Sequence, residues 1–256
     1  MLSFALNSGS EARGAFTFTG TDVALRRGEI VALLNGAEPG GSALLRRLAS
    51  LDGPGDGAIW PCGAAETGSR ADAGLISSEP NLVAWLSAAG NVGLGLDHRT
   101  PFEREGLVTN ALVRAGLAGC GELWPHELCR ARRQRLAVAR ALVARPKLLL
   151  LDEPFAALDA ATRADMSRLI GALCGESRTA VLIATRDIDE AVALADRILV
   201  MQPRSGRIGY ALENLQARPR DRRSSAFAAA RRELRHARER CRGKEANGRE
   251  PAAAAA

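Results

Sequence analysis

Two adjacent carboxylates close an aliphatic run in the second half of the chain. Residues 148–151 are all leucine, and Asp152 and Glu153 follow them directly. Such a run predicts a buried strand of a parallel sheet, and ligands bind where these strands end. In a nucleotide hydrolase the first carboxylate holds Mg²⁺, directly or through water, and the second accepts a proton from the attacking water. The pattern thus predicts Asp152 as a metal ligand and Glu153 as a general base, with a plain acidic strand end as the alternative.

The elements that position these carboxylates alternate between strands and helices. Apolar runs predict strands at 29–34, 75–77, 147–151, 180–184 and 197–201. Helical spacing of apolar residues predicts helices at 42–50, 132–144, 160–174 and 188–195. From about 82 to 113 a helical pattern alternates with glycine breaks. This alternation indicates an α/β fold with a mainly parallel sheet.

Composition excludes several classes of protein. The chain has 256 residues, of which 46% are hydrophobic and 25% charged, as in an ordinary globular protein. Its five cysteines form no CxxC pair and its three histidines have no metal-ligand spacing; these features argue against a disulfide framework or a zinc site and for a reducing compartment. We expect no membrane-spanning helix, because no apolar run approaches the roughly 20 residues of a span. We expect no signal peptide, because residues 1–10 have no basic region followed by a long apolar region.

The positive charge is concentrated near the C-terminus. Between 218 and 250 there are twelve basic and five acidic residues, whereas the net charge of the whole chain is +6. Past residue 216 an apolar stripe at helical spacing predicts an amphipathic helix; the stripe comprises Phe227, Ala230, Leu234, Ala237 and Cys241. The simplest interpretation is a solvated helix with a frayed end. An acidic membrane surface or nucleic acid is the alternative partner, but the tail's single aromatic residue, Phe227, argues against nucleic-acid readout by stacking.

The motifs on both sides of the two carboxylates resemble those of one protein family. Residues 125–142 read PHELCRARRQRLAVARAL, and residues 145–163 read RPKLLLLDEPFAALDAATR. Residues 27–33 (RGEIVAL), 191–201 (AVALADRILVM) and 219–222 (PRDR) fit the same pattern. Together they resemble the nucleotide-binding subunits of ABC transporters, most closely the importer branch for nitrate, sulfonate, taurine or bicarbonate. The resemblance covers about residues 25 to 235.

The resemblance implies a fold, partners and a location. We expect a P-loop NTPase (RecA-like) core of the ABC ATPase type over 1–216, with an antiparallel β part and a helical subdomain at about 82–140. Residues 217–256 would form a basic C-terminal helix and a disordered tail. The implied cofactors are ATP and Mg²⁺, and the implied partners are a membrane-embedded permease, contacted through 82–86, and a second ABC ATPase subunit in a homo- or heterodimer. The expected location is the cytoplasm, peripheral at the inner face of the cell membrane, and we expect no nucleic-acid partner.

The phosphate loop departs from the family pattern G-x-x-G-x-G-K-S-T. The aligned segment reads Asn35, Gly36, Ala37, Glu38, Pro39, Gly40, Gly41, Ser42, Ala43. The lysine position is Gly41, the second glycine position is Glu38, and Pro39 has no N–H for a phosphate. Ser42 remains as a ligand for Mg²⁺, and the following helix keeps its N-terminal dipole. Losing a lysine–phosphate bond of roughly 1.5–3 kcal/mol and adding a carboxylate would weaken ATP binding toward the millimolar range.

Three further family positions are altered. The Q-loop glutamine aligns with Ser78, and the switch histidine aligns with Arg186. The LSGGQ signature, which clamps a nucleotide held by the opposing subunit, aligns with Leu128 followed by Cys129, Arg130, Ala131 and Arg132. Asp159 keeps the D-loop position. For stacking on adenine only Phe16 and Phe18 are candidates.

These departures lead to two interpretations of the function. The first is an importer ATP-binding subunit with weak or no ATP hydrolysis, in which the loops drifted or Arg130, Arg132 and Arg186 became replacement phosphate contacts. The second is a non-enzymatic scaffold or regulator of a transporter or of an intact ATPase, bound through the basic tail. Because this chain alters both its phosphate loop and its signature, neither a homodimer nor a heterodimer would have a complete site.

Overall fold

The described part of the chain contains two sheets, seven α-helices and a short 3₁₀ helix at Pro125–Glu127. The computed structural model describes residues 2–6, 21–34, 40–49, 57–61, 73–156, 158–203 and 207–246. The strands are β1 (Leu2–Leu6), β2 (Thr21–Leu25), β3 (Ile30–Leu34), β4 (Gly57–Pro61), β5 (Ala73–Ser77), β6 (Leu148–Asp152), β7 (Ala180–Thr185), β8 (Arg197–Met201) and β9 (Ile208–Glu213). The helices are α1 (Gly40–Leu48), α2 (Ala88–Gly93), α3 (Pro101–Arg114), α4 (Arg130–Val143), α5 (Ala160–Ser177), α6 (Ile188–Leu194) and α7 (Ser225–Ala246).

The larger sheet has six strands in the order β5-β6-β7-β3-β8-β9. Its first five strands are parallel to their neighbours, and β9 is antiparallel to β8 at the edge. All residues of β3 and β7 are buried, which explains why both strands are continuous apolar runs rather than alternating ones. Because β6 and β7 are parallel neighbours, their carboxyl ends lie side by side, and Asp152 is paired in register with Ala184.

The sheet has a separate apolar layer on each face. On one face Ile30, Ala32 and Leu34 pack in a cluster with buried residues of helices α4 to α7. On the other face Val31 and Leu33 pack with β2 and α1. Alternate residues of one strand thus hold helices on both sides of the sheet, as the α/β prediction requires.

The smaller sheet is antiparallel, with strand order β2-β1-β4. Strand β1 pairs with a strand that lies more than fifty residues later in the chain, from Leu2 opposite Pro61 to Leu6 opposite Gly57. The two sheets together confirm the expected ABC-type ATPase fold with an antiparallel β part.

The helices between β5 and β6 enclose an apolar cluster of their own. It contains Val92 of α2, Leu112 of α3 and Leu136 of α4, all of which are buried. Helix α3 begins with a capping box, in which Thr100 and Glu103 exchange side-chain to backbone hydrogen bonds. These helices place the N-terminus of α4 at the surface of the molecule.

Helix α7 packs on the larger sheet and on α6. Phe227, Leu234, Ala237 and Cys241 of the apolar stripe are buried, and they belong to the same cluster as the sheet residues. The interpretation of a solvated helix is therefore wrong for this face, because the stripe covers the core. No helix among the described residues is long and apolar enough to span a membrane.

Candidate nucleotide and magnesium site

The hydroxyl of Ser42 and the carboxylate of Asp152 meet at the end of the larger sheet. Ser42 lies in the first turn of α1, and Asp152 is the last residue of β6. The Ser42 Oγ donates a hydrogen bond to Asp152 Oδ1 across 2.6 Å, although the two residues are 110 positions apart in the chain. The sequence prediction placed both at one metal site, and the structure brings them together.

This pair of oxygens suits Mg²⁺. Hydroxyl and carboxylate oxygens are hard donors, and Mg²⁺ is bound through one or two such groups together with water and substrate phosphates rather than by a closed protein cage. Among the described residues, no group of three or more His, Cys, Asp or Glu could hold a metal ion. Ser42 and Asp152 are side chains that could hold Mg²⁺ together with a nucleotide.

The side chain of Glu153 is held by a cation. Its carboxylate Oε1 accepts a hydrogen bond from Arg186 Nε at 2.8 Å. The Glu153 side chain is 19% exposed, while that of Arg186 is 60% exposed. Glu153 also has a φ of +45°, and its N–H donates to the carbonyl of Ala184 at 2.9 Å. The backbone of a non-glycine residue rarely adopts this φ without support, and such residues cluster at functional sites.

The loop that carries Arg186, here called the switch loop, makes hydrogen bonds and ion pairs on both sides. Next to it, Asp187 caps α6 and forms an ion pair with Arg163 of α5 at 2.7 Å. From α7, the Arg238 Nη1 donates to the carbonyl of Arg186 at 3.2 Å. The pKa of Arg238 is lowered from its ordinary value, and burial of the side chain is the largest of several causes. Sequence analysis assigned no role at this loop to Arg163 or Arg238. An arginine on a helix does not by itself indicate which residue it contacts.

A buried carboxyl lies directly behind the switch loop. Glu190 is 3% exposed, and its Oε2 accepts a hydrogen bond from Thr185 Oγ1 at 3.0 Å. Its other oxygen, Oε1, has no hydrogen-bond partner among the described residues. Burial raises the pKa of Glu190 to about 8, and the negative charges of Asp187 and Glu153 act in the same direction. At neutral pH the group is therefore mainly protonated.

The N-terminus of α1 is the part of the phosphate loop that the structure describes. The predicted residues Asn35, Gly36, Ala37, Glu38 and Pro39 lie outside the described residues, as do Phe16 and Phe18. Gly40 and Gly41 begin the helix, followed by Ser42 and Ala43, and its first turn contains no acidic residue. The helix N-terminus could thus bind a phosphate through its N–H groups, but position 41 is glycine and provides no ammonium group to the phosphate.

The signature position lies at the start of α4. Cys129 is the N-cap residue and makes no side-chain hydrogen bond to the helix. Arg130 and Arg132 are exposed, Ala131 is half-buried, and the first turn contains no acidic residue. This helix end presents N–H groups and guanidinium groups together, which is an arrangement suited to an anion.

The remaining predicted positions are also at the surface of this end of the molecule. Ser78 follows β5 in a half-buried bend, and α4 fixes this segment because Gln134 Nε2 donates to the carbonyl of Ser77 at 3.1 Å. Asp159 caps α5 by accepting bonds from the N–H groups of Ala161 and Thr162. The hydroxyl of Thr162 also donates to Asp159 Oδ2 at 2.6 Å, and this bond, followed by that from the Thr162 N–H, is the main cause that lowers the pKa of Asp159.

The segment expected to contact a membrane partner is held by one buried amide that sequence analysis missed. Asn91 of α2 is fully buried. Its side chain accepts from the N–H of Val83 at 2.8 Å and donates to the carbonyls of Val83, Leu86 and Ser87. The only available signal was an asparagine within an otherwise apolar helical pattern. Trp85 in this segment is 77% exposed.

Comparison with known proteins identifies the family. The model of the ABC transporter family matches residues 18–156, and the chain belongs to this family. Within it, the chain is 41% identical over 216 residues to an aliphatic sulfonates import ATP-binding protein, SsuB 2, of Burkholderia cenocepacia; the match covers 84% of this chain and 79% of the relative. A protein of the same name from Nocardia farcinica is 42% identical over 212 residues, which cover 83% of this chain and 84% of that protein.

A solved structure supports the same placement. The cbiO1 protein of Clostridium perfringens, part of the ABC transporter complex cbiONQ, superposes with a TM-score of 0.73 at 26% identity. The superposition covers 83% of this chain and 88% of cbiO1. These comparisons confirm the family and the fold that the motifs predicted.

Proposed function

We propose that this chain is the ATP-binding subunit of an aliphatic-sulfonate importer, with strongly reduced ATP hydrolysis. The relatives at 41–42% identity carry that importer name. The proposed reduction of ATP hydrolysis rests on one observation: the Glu153 carboxylate forms an ion pair with Arg186 at 2.8 Å. The guanidinium occupies one oxygen of the carboxylate that would take the proton from water, and arginine itself relays no proton at neutral pH.

The phosphate loop acts in the same direction. Position 41 is glycine, so the chain lacks the lysine that would stabilise charge on the transferred phosphoryl group. When bound, Mg²⁺ would neutralise phosphate charge; Ser42 and Asp152 are the side chains that would hold it. The N–H groups at the start of α1 would bind phosphate oxygens. The chain thus retains groups that bind a magnesium nucleotide weakly and lacks groups that accelerate its hydrolysis.

A second copy or a paralogue would face the nucleotide across the dimer interface, although neither pairing would give a complete site. In this proposal the start of α4, with Arg130 and Arg132, faces the nucleotide of the opposing subunit and supplies guanidinium groups instead of glycine N–H groups. The exposed Trp85 and its neighbours would contact the permease at the inner face of the membrane. The alternative of a non-enzymatic scaffold bound through the tail is less favoured, because α7 uses its apolar stripe to cover the core of this chain.

The experiment that tests the proposal measures phosphate release by the full chain at several millimolar Mg-ATP. Glu153→Gln is the matched variant, because it preserves the size of the side chain and removes its ability to accept a proton. We expect the two proteins to release phosphate at the same low rate. A substantial rate that disappears in Glu153→Gln would refute the proposal, since Glu153 would then be working as a base despite Arg186.

A further inference from the structure

A cavity outside the nucleotide site lies between α5, α6 and the segment that leads to α7. Its volume is about 570 Å³, which is within the usual range for small-molecule pockets. Small apolar groups form much of its wall: Ala164, Gly171, Ala172, Ala193, Leu194 and Pro219. None of the residues predicted for the nucleotide site lines it. The proposed function therefore leaves this cavity without a role.

The polar side chains of the cavity wall are those of four arginines and one serine, with no acidic residue among them. Four arginines line it, Arg168, Arg218, Arg220 and Arg222. Two carboxylates close by neutralise part of this charge, because Asp165 pairs with Arg168 and Asp196 pairs with both Arg218 and Arg220. The neighbourhood therefore keeps a net positive charge of about two, which favours an anion.

Arg220 supports the wall and is fully occupied. Its side chain is 0% exposed, and each of its three nitrogens has a partner within the protein. These partners are the carbonyls of Gln216 and Ala193 and the carboxylate of Asp196. Desolvation lowers the pKa of Arg220, while its ion pair with Asp196 acts in the opposite direction.

Two other groups of the wall have unused hydrogen-bonding capacity. Arg218 uses its Nη2 for Asp196 and for the carbonyl of Gly28, but its buried Nη1 has no hydrogen-bond partner among the described residues. Ser167 is 7% exposed, and its Oγ also has no partner among them. Both atoms are closed off from solvent, so a ligand in the cavity would reach them only if these side chains shifted; the charge of the wall is what it would meet directly.

We propose that this cavity binds a small organic anion that carries a short aliphatic chain. The positive charge of the arginines recognises its acidic group, and the wall of small apolar residues accommodates its hydrocarbon part. Sulfonates and carboxylates share this chemistry. The proposal concerns a site separate from the nucleotide site and does not depend on which solute the importer carries.

The test is calorimetric titration of the full chain, without nucleotide, with 1-hexanesulfonate and with hexanoate. 1-Hexanol, which lacks the charge, and sodium sulfate, which lacks the chain, are the comparison compounds. We expect saturable binding of at least one organic anion, at least tenfold tighter than that of either comparison compound and weakened by added salt. Equal binding of hexanol or of sulfate, or no binding of either organic anion, would overturn the proposal.

Two pairs of variants place the binding in this cavity. Gly171→Leu fills the cavity from α5, where a Cβ would meet only Leu194 at 4.0 Å, whereas Gly175→Leu on the same helix points into open space and is the control. Arg222→Gln removes a charge from the cavity wall, and the neighbouring Arg223→Gln is its control. We expect Gly171→Leu to abolish binding and Arg222→Gln to weaken it about tenfold, as for the loss of a charged hydrogen bond. Unchanged affinity in Gly171→Leu would contradict the assignment.

Discussion

Arg186 donates a hydrogen bond to Glu153 across 2.8 Å and so joins the residue after β7 to the residue after β6. The two strands are parallel neighbours, and their ends bring these side chains together although they are 33 positions apart. In the family pattern these positions belong to the switch histidine and the general base. We propose that hydrolysis is strongly reduced because Arg186, a cation, is paired with Glu153, the residue at the position of the general base.

The ion pair itself can be measured with a double-mutant cycle. We expect Arg186→Ala and Glu153→Gln to show a coupling of about 0.5 to 1 kcal/mol in the free energy of urea unfolding, because Arg186 is largely exposed and its pair is partly screened. Arg130→Ala, at the exposed start of α4, should show no coupling to Glu153→Gln. Zero coupling for Arg186 would mean that the pair does not persist in solution.

Restoring the phosphate loop should restore nucleotide affinity. We expect Gly41→Lys combined with Glu38→Gly to raise the affinity for Mg-ATP at least tenfold, because a lysine–phosphate bond contributes roughly 1.5–3 kcal/mol. Equilibrium titration with a fluorescent ATP analogue, competed by ATP, measures the change. Gly175→Lys is the control for adding a lysine elsewhere and should leave the affinity unchanged. If the double variant binds no better than the unmodified chain, the loop is not what weakens binding.

The buried Glu190 predicts a specific dependence of stability on pH. Its native pKa is about 8 against an ordinary value of 4.5, so the native state binds the additional proton between these values. The contribution of this group to the free energy of unfolding therefore falls as pH rises from about 4.5 to about 8. We expect the stability of Glu190→Gln, relative to the unmodified chain, to increase between pH 5 and pH 8.

Urea unfolding at several pH values checks this prediction. Glu105→Gln, at an exposed position of α3, is the matched control and should change stability equally at every pH. A flat difference for Glu190→Gln as well would show that Glu190 does not take up a proton on folding.

Asn91 should be important for stability although it touches no nucleotide position. Asn91→Ala removes the acceptor of the Val83 N–H and a donor to the carbonyls of Val83, Leu86 and Ser87, of which those of Val83 and Ser87 keep a backbone N–H donor. We expect the free energy of unfolding to fall by about 2 to 4 kcal/mol. Asn110→Ala, an exposed position of α3, should change it by less than about 0.5 kcal/mol. Equal effects of the two variants would contradict the role assigned to Asn91.

The elements of the parallel sheet were largely predictable because their strands are continuous apolar runs. The prediction of residues 197–201 agrees with β8 at both ends, that of 180–184 is one residue short of the end of β7, and that of 147–151 is shifted by one residue from β6. Strands β1 and β2, which lie before the first strand prediction, were not located from the residues. Their pairing with each other and of β1 with β4 is antiparallel, and the partner β4 is distant in sequence. Glycine breaks obscured the fourteen residues of α3.

The candidate site was predictable where its chemistry is local and not where it depends on contacts. The motif containing Asp152 and Glu153 is contiguous, so its position at a strand end could be inferred. The reach of Arg238 from α7 to the switch loop, and the burial of Glu190 behind it, depend on how α6 and α7 pack. No spacing along the chain encodes those contacts.

The most direct test of the central claim is a Mg-ATP titration of the purified full chain into the millimolar range, with Glu153→Gln titrated alongside it to exclude turnover as the cause of a weak signal. The account predicts no saturation below about 1 mM, because the loop has lost lysine and gained a carboxylate. Saturation well below that concentration in both proteins would contradict it and would mean that other groups of the site replace the missing contacts.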